Sequence, residues 1–180
     1  MCGIIGITSS KEVTNRIINS LKKLEYRGYD SAGIATLNKG YINEVKCEGR
    51  VEKLEQNISK VNLQGNIGIG HVRWATHGKP SSVNAHPHSS DKVSVVHNGI
   101  IENSTILKKV LEKKGYKFKS QTDTEVIVHL VTEYLKKNNL KNTIIKVLKK
   151  LHGSFALGVI FKDHPDLIVG ARRGSPLAVG

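Results

Sequence analysis

The chain has 180 residues, of which 38% are hydrophobic, so it is long and apolar enough for one domain with a real core. It contains no run of about 18 apolar residues, which excludes a membrane-spanning helix. The N-terminal segment MCGIIGITSS lacks the basic and long apolar parts of a secretory signal, so we expect a cytoplasmic protein.

The formal net charge of +13 is compatible with a nucleic-acid-binding module. Most of this charge comes from lysines on predicted helices, where solvated helix faces explain it as well. Aromatic residues make up only 5% of the chain and offer few platforms for base stacking. We therefore expect no nucleic-acid partner, although salt-dependent retention on nucleic acid would reveal one.

The first half of the chain alternates short apolar runs with polar breaks. Residues 2–8 predict a buried strand, and Ser9 with Glu12 predicts a capping box for a helix that ends near Glu25. The glycines of YRGYDSAG, residues 26–33, indicate a loop. Further along, the pattern predicts strands at 33–37, 41–47 and 67–75 and a polar helix at 50–60.

The second half begins with an irregular stretch at 76–91 that has no periodicity. A loop of this length is unusual unless it has a function, so we expect this one to be functional. Thr122 and Glu125 predict a capping box for one of the helices that follow. The predicted elements are a strand at 92–99, helices at 103–115, 123–138 and 142–151, strands at 154–161 and 166–172, and a last strand from Leu177 within which the chain stops. Strands, then helices, then strands favour a layered α+β or α/β domain.

Cys2 directly follows the initiator methionine. Removal of Met1 would leave Cys2 with both a thiol, of pKa about 8.5, and a free α-amine, of pKa about 7.7–8.0, that can act as its base. Many proteins have a small residue at position 2 that has no catalytic role. Whether Cys2 is catalytic must therefore be decided from other residues. The second cysteine, Cys47, is expected to be a small buried hydrophobe.

Three further segments carry groups that an amide-hydrolysing site needs. The side chain of Asn98 and the backbone N–H of Gly99 are candidate oxyanion donors, although Asn-Gly is also the commonest hairpin turn. Arg73 offers a planar guanidinium for a carboxylate, or is a surface charge. Asp123 offers a carboxylate for an ammonium, or caps a helix.

Five segments taken together are more specific than any one motif. They are CGIIGI at 2–7, LEYRGYDSAGIA at 24–35, HVRWATHGKPSSVNAHPH at 71–88, HNGIIEN at 97–103 and QTDTEV at 121–126. In register over the whole chain, they resemble the glutaminase domain of the glutamine–fructose-6-phosphate aminotransferases, which are class II glutamine amidotransferases. The nearest relatives outside that family, the amidophosphoribosyltransferases, differ at Tyr26, Tyr29, the Trp74–His77 run and the Asn84–His88 run.

The resemblance implies an α+β fold, a four-layer αββα sandwich of the N-terminal nucleophile hydrolase type. It also implies that Cys2 attacks the side-chain amide of L-glutamine, releases ammonia and forms a γ-glutamyl thioester that water hydrolyses. The implied site consists of Asn98 and Gly99 for the oxyanion, Arg73, Thr76 and His77 for the substrate carboxylate, Asp123 with Gly99 for its ammonium, and Trp74 as the gate to an ammonia channel.

The same resemblance sets expectations for the whole protein. Residues 1–180 would be the glutaminase domain, truncated at its C-terminal end and lacking the two sugar isomerase domains that aminate fructose 6-phosphate in a full-length homo-oligomer. No cofactor and no metal is expected. Three rivals stay open: the glutaminase domain of another class II amidotransferase such as an amidophosphoribosyltransferase, a non-catalytic remnant, and a metal enzyme. The metal enzyme would use five of the eight histidines, which are His71, His77, His86, His88 and His97.

Overall fold

The computed structural model describes residues 2–76 and 78–180. The strands are β1 (Gly3–Thr8), β2 (Ser31–Asn38), β3 (Tyr41–Glu48), β4 (Ile67–Arg73), β5 (His88–Ser89), β6 (Val93–Ile101), β7 (Gly153–Phe161) and β8 (His164–Arg173). The helices are α1 (Thr14–Leu24), α2 (Val51–Val61), α3 (Ser104–Glu112), α4 (Glu125–Leu135) and α5 (Leu140–Lys150), with a short 3₁₀ turn at Glu25–Arg27.

The strands form two antiparallel sheets that pack face to face. The first has the order β1-β4-β2-β3 and the second β5-β6-β7-β8. Helices α1 and α2 cover the outer face of the first sheet, and α3, α4 and α5 cover that of the second. A smaller apolar layer, including Ile69, Val96 and Ile160, lies between the sheets. The expected α+β four-layer αββα arrangement is therefore confirmed.

Strand β4 shows how the sequence orients the site. Its alternating residues IGIGHVR place Ile67, Ile69 and His71 toward the second sheet and the glycines toward α1. A Cβ on Gly70 would lie 2.6 Å from Ile17 Cγ2, so glycine lets α1 pack directly on the strand. The same alternation directs Arg73, at the end of β4, between the sheets.

Both predicted capping boxes are wrong. The Ser9 hydroxyl accepts from Lys11 N–H, and the Glu12 carboxylate accepts from Thr14 N–H, so neither forms the reciprocal pair at the start of α1. Glu125 accepts instead from the backbone N–H groups of the preceding turn. Glu12 thus bonds the first N–H of α1, and Glu125 bonds N–H groups before α4, so neither carboxylate reaches back to a capping residue.

The strand predicted from Leu177 is also wrong. After β8, Gly174 adopts a φ of +74° and makes one isolated bridge to Phe155, and residues 176–180 form no strand. Pro176 has no N–H to donate to a ladder, which disfavours continued pairing. Among the described residues of the expected irregular stretch at 76–91, the short strand β5 is the one regular element. No described helix is long and apolar enough to cross a membrane.

Candidate active site

Cys2 lies immediately before β1, half-buried against the end of β4. The Trp74 N–H donates to Cys2 Sγ at 3.3 Å, and Sγ lies 3.6 Å from the Trp74 carbonyl oxygen. Burial raises the pKa of the Cys2 thiol, and the Trp74 backbone and the Arg73 charge only partly offset that effect. A nearby base is therefore needed to form the thiolate at neutral pH. Met1 lies outside the described residues, so its removal stays a prediction.

Asn98 contacts the backbone of Cys2. Strand β6 turns its even-numbered side chains toward the first sheet, so Val96 enters the layer between the sheets and Asn98 Nδ2 donates to the Cys2 carbonyl oxygen at 3.1 Å. An amide nitrogen carries two protons, and this bond uses one of them. Asn98 thus fixes the position of Cys2 directly.

Gly99 is the next residue of the strand, and its backbone requires glycine. Its φ is +130°, and a Cβ there would lie 2.1 Å from the Ser154 carbonyl oxygen of β7. Gly99 is exposed, although His97, two residues earlier on the strand, is buried. The Asn-Gly pair therefore lies inside a ladder between β6 and β7 and not in a two-residue hairpin turn.

Arg73 ends β4 and is only 4% exposed, so it is no surface charge. Its Nη2 donates to the Gly78 carbonyl oxygen at 3.0 Å. The segment before β2 packs against the backbone of Arg73. Gly28 approaches it so closely that a Cβ there would lie 2.5 Å from Arg73 C, and Asp30 N–H donates to the Arg73 carbonyl oxygen at 3.2 Å. The Asp30 carboxylate also accepts from Ala75 N–H.

Sequence reasoning missed Asp30 as a site residue. It lies in the quoted YRGYDSAG segment, but its contacts to the 73–75 backbone are long-range and leave no local pattern. Asp30 and Gly28 together fix the turn that carries Trp74 past the Cys2 thiol.

Trp74 stands beside the thiol with 47% of its surface exposed. Its ring packs edge-on against Tyr29 with centroids 5.6 Å apart, and the Arg50 guanidinium lies 5.3 Å from the centre of the Tyr29 ring. Thr76 follows as an exposed residue. His77, the third residue expected to bind the carboxylate, lies outside the described residues.

Asp123 lies just before α4, yet it does not cap the helix. Its Oδ2 accepts from the Ile101 N–H at 2.7 Å, at the end of β6, and its Oδ1 lies 3.9 Å from His97 Nδ1. The carboxylate is therefore held next to the His97–Gly99 run. The hydrogen bond to Ile101 replaces helix capping, and the binding of a substrate ammonium by Asp123 stays a prediction.

Four of the five histidines considered as metal ligands are buried together. The His71 ring stacks on His86 at 4.3 Å, and His86 meets His88 edge-on at 4.7 Å. Burial lowers the pKa of His71 and of His88 to about 3, and it also lowers the pKa of His86 and of His97. Within residues 2–76 and 78–180, no group of three or more His, Cys, Asp or Glu side chains could hold a metal ion.

The arrangement therefore joins a thiol, amide donors, a buried guanidinium and an anchored carboxylate around the adjoining ends of β1, β4 and β6. Such a set can attack an amide carbon and bind both charged groups of an α-amino acid.

Comparison with known proteins identifies the family. A sequence model described as a glutamine amidotransferase domain matches residues 71–175. The glutamine–fructose-6-phosphate aminotransferases of Clostridium acetobutylicum and Mesorhizobium japonicum are each 54% identical to this chain over its whole length. The chain spans 30% of the length of these curated relatives.

The solved structures agree with this match. A glutamine phosphoribosylpyrophosphate amidotransferase from B. subtilis superposes with a TM-score of 0.76 and 29% identity, over 90% of this chain and 35% of its own. The fold is thus that of the N-terminal nucleophile amidotransferases, as expected. Because the family model covers more than half of the chain, the chain belongs to the glutamine amidotransferase domain family.

Proposed function

We propose that the chain hydrolyses L-glutamine to glutamate and ammonia through a γ-glutamyl thioester on Cys2. The observation that carries this proposal is the contact of the Cys2 thiol with the Trp74 backbone while the Asn98 amide holds the Cys2 carbonyl. Membership in the amidotransferase family supports the same reaction.

In the proposed mechanism, the α-amine of Cys2 takes the thiol proton, because burial alone would keep the thiol protonated. The thiolate attacks the side-chain amide carbon. The second amide proton of Asn98 and the N–H of Gly99 then stabilise the oxyanion. The α-amine returns the proton to the leaving ammonia, and water releases glutamate from the thioester.

The site offers one partner for each of the two charged groups of the substrate glutamine. Arg73, with Thr76 and His77, binds the α-carboxylate, for which a guanidinium provides two parallel donors. Asp123, with the Gly99 backbone, binds the α-ammonium. Trp74, supported by Tyr29, covers the thiol and serves as the gate through which ammonia leaves.

For the protein of which this chain forms a part, we infer a glutamine–fructose-6-phosphate aminotransferase. The 54% identity to relatives of that name supports this inference over an amidophosphoribosyltransferase, whose match is 29% identical. Sugar isomerase domains would receive the ammonia in a homo-oligomer. Both cysteines are free, including the proposed nucleophile Cys2, which fits a reducing cytoplasm.

The experiment compares two cysteine variants in a glutamate-release assay. Cys2→Ala should abolish glutamine hydrolysis, whereas Cys47→Ala, whose thiol is buried under α2, should retain nearly all of it. Hydrolysis by Cys2→Ala would contradict the proposal, and an inactive wild-type chain would favour a non-catalytic remnant.

A further inference from the structure

Side-chain hydrogen bonds join the segment 84–88 to the segment 121–124, which precedes α4. Residues 84, 86 and 88 each contact the second segment, and none of these contacts involves the Cys2 thiol. The pairs are Asn84 Nδ2 with Gln121 Oε1 at 3.1 Å, His86 Nε2 with Thr124 Oγ1 at 2.7 Å, and His88 Nε2 with Thr122 Oγ1 at 2.9 Å.

Thr124 differs from the other partners because it makes two such contacts. Its side chain is fully buried, and Oγ1 lies 2.7 Å from His86 Nε2 and 2.9 Å from His97 Nδ1. A hydroxyl carries one proton, so with neutral rings it donates to one imidazole and accepts from the other. One hydroxyl thus links the 84–88 segment to strand β6.

The bridged histidines connect to the rest of the site. The His97 carbonyl oxygen can only accept, so His71 Nε2 donates to it at 3.0 Å, and the His71 ring stacks on His86 at 4.3 Å. Strand β4 therefore contacts both of the histidines that Thr124 bridges, one in the 84–88 segment and one in β6. Asn98 and Gly99 follow His97 directly in the chain.

We infer that Thr124 is a positioning residue for the hydrolysis: by bridging His86 and His97, its hydroxyl sets the direction of the Asn98–Gly99 part of strand β6. This inference rests on the proposed function. Asp123 has its own anchor at Ile101 N–H, so the binding of the substrate ammonium should not depend on Thr124. The hydroxyl should therefore affect kcat far more than KM.

The test uses Thr124→Val, which keeps the branched shape but leaves both imidazole nitrogens without the hydroxyl. Removing an oxyanion donor costs about 10²–10³ in kcat, and misdirecting one should cost a part of that, roughly tenfold or more. KM for glutamine should stay within about threefold, and Thr124→Ser, which keeps the hydroxyl, should restore kcat to within about threefold of wild type.

Thr14→Val is the matched control. The Thr14 hydroxyl is also buried and donates to the Leu63 carbonyl oxygen at 3.0 Å, but it lies at the start of α1. The Thr14→Val substitution should lower the melting temperature without lowering kcat. If Thr124→Val had the same kcat as Thr14→Val, or if Thr124→Ser restored nothing, the positioning role would be refuted.

A second measurement needs neither activity nor a foldable valine variant. Long-range ¹H–¹⁵N spectra of the ¹⁵N-histidine-labelled wild-type protein at pH 7 should show neutral, single-tautomer rings for His86 and His97. A doubly protonated or tautomerically averaged ring at either position would overturn the bridge. Because this result does not depend on turnover, it separates failure of the bridge from failure of the glutaminase proposal.

Discussion

Acid should unfold this protein through its buried histidines. Burial lowers the pKa of His71 and His88 to about 3 and lowers that of His86 and His97 below the ordinary value as well. An unfolded histidine titrates near 6.5, so below that pH the unfolded chain binds protons that the folded chain refuses. The free energy of unfolding is therefore at its full value above pH 6.5 and falls as the pH drops toward 3.

The magnitude follows from proton linkage. A histidine that stays neutral when folded loses about 1.4 kcal/mol relative to its high-pH value by pH 5.5, and about 1.4 kcal/mol more for each further pH unit. His71 and His88, whose pKa is lowered to about 3, together lose roughly 3 kcal/mol at pH 5.5, which is a large part of the stability of a marginal domain. Although burial opposes it, the His129 ring at 3.6 Å and hydrogen bonds from Lys119 and Ser120 lower the pKa of Glu125 to about 2. The contribution of Glu125 to stability is therefore lost only below about pH 4.5.

Urea unfolding followed by circular dichroism at pH 7.5, 6.5 and 5.5 measures the effect. His88→Gln should reduce the loss of stability between pH 6.5 and 5.5 by about 1 kcal/mol, and His164→Gln, at an exposed strand end, should leave it unchanged. Equal unfolding free energies at pH 7.5 and 5.5 would refute the reasoning.

Three substitutions test the site itself. Gly99→Ala places a Cβ 2.1 Å from the Ser154 carbonyl oxygen at a φ of +130°. The substitution should lower the free energy of unfolding by about 3 kcal/mol in thermal unfolding and abolish activity. A variant as stable as wild type would contradict the ladder geometry. Asn98→Ala should lower kcat by roughly 10²–10³ in steady-state assays, and a change confined to KM would exclude an oxyanion role. Arg73→Lys should mainly raise KM for glutamine, because an ammonium cannot reproduce the paired donors of a guanidinium; an unchanged KM with a lower kcat would argue against carboxylate binding.

The fold was predictable wherever periodicity is strong. The alternation in β4 and the apolar spacing of α1 indicated the right elements, because side chains that face a core repeat with the geometry of strand and helix. The two capping boxes and the strand at Leu177 were predicted wrongly, because Glu125 bonds the turn before the helix and Pro176 interrupts pairing.

The candidate site was predictable to the extent that motifs carry it. The sequence indicated Cys2, Asn98 and Arg73, and their placement in the structure is compatible with the expected roles. Asp30 and Thr124 were missed because their importance lies in contacts to residues 27 to 45 positions away, which leave no local pattern.

The identity of the nucleophile is tested most directly by peptide mass mapping after incubation with a diazo-ketone analogue of glutamine. The proposed mechanism predicts one adduct, on a Cys2 that has lost Met1 and carries a free α-amine, with competition by L-glutamine. An adduct on Cys47, or equal labelling of protein that retains Met1, would contradict it.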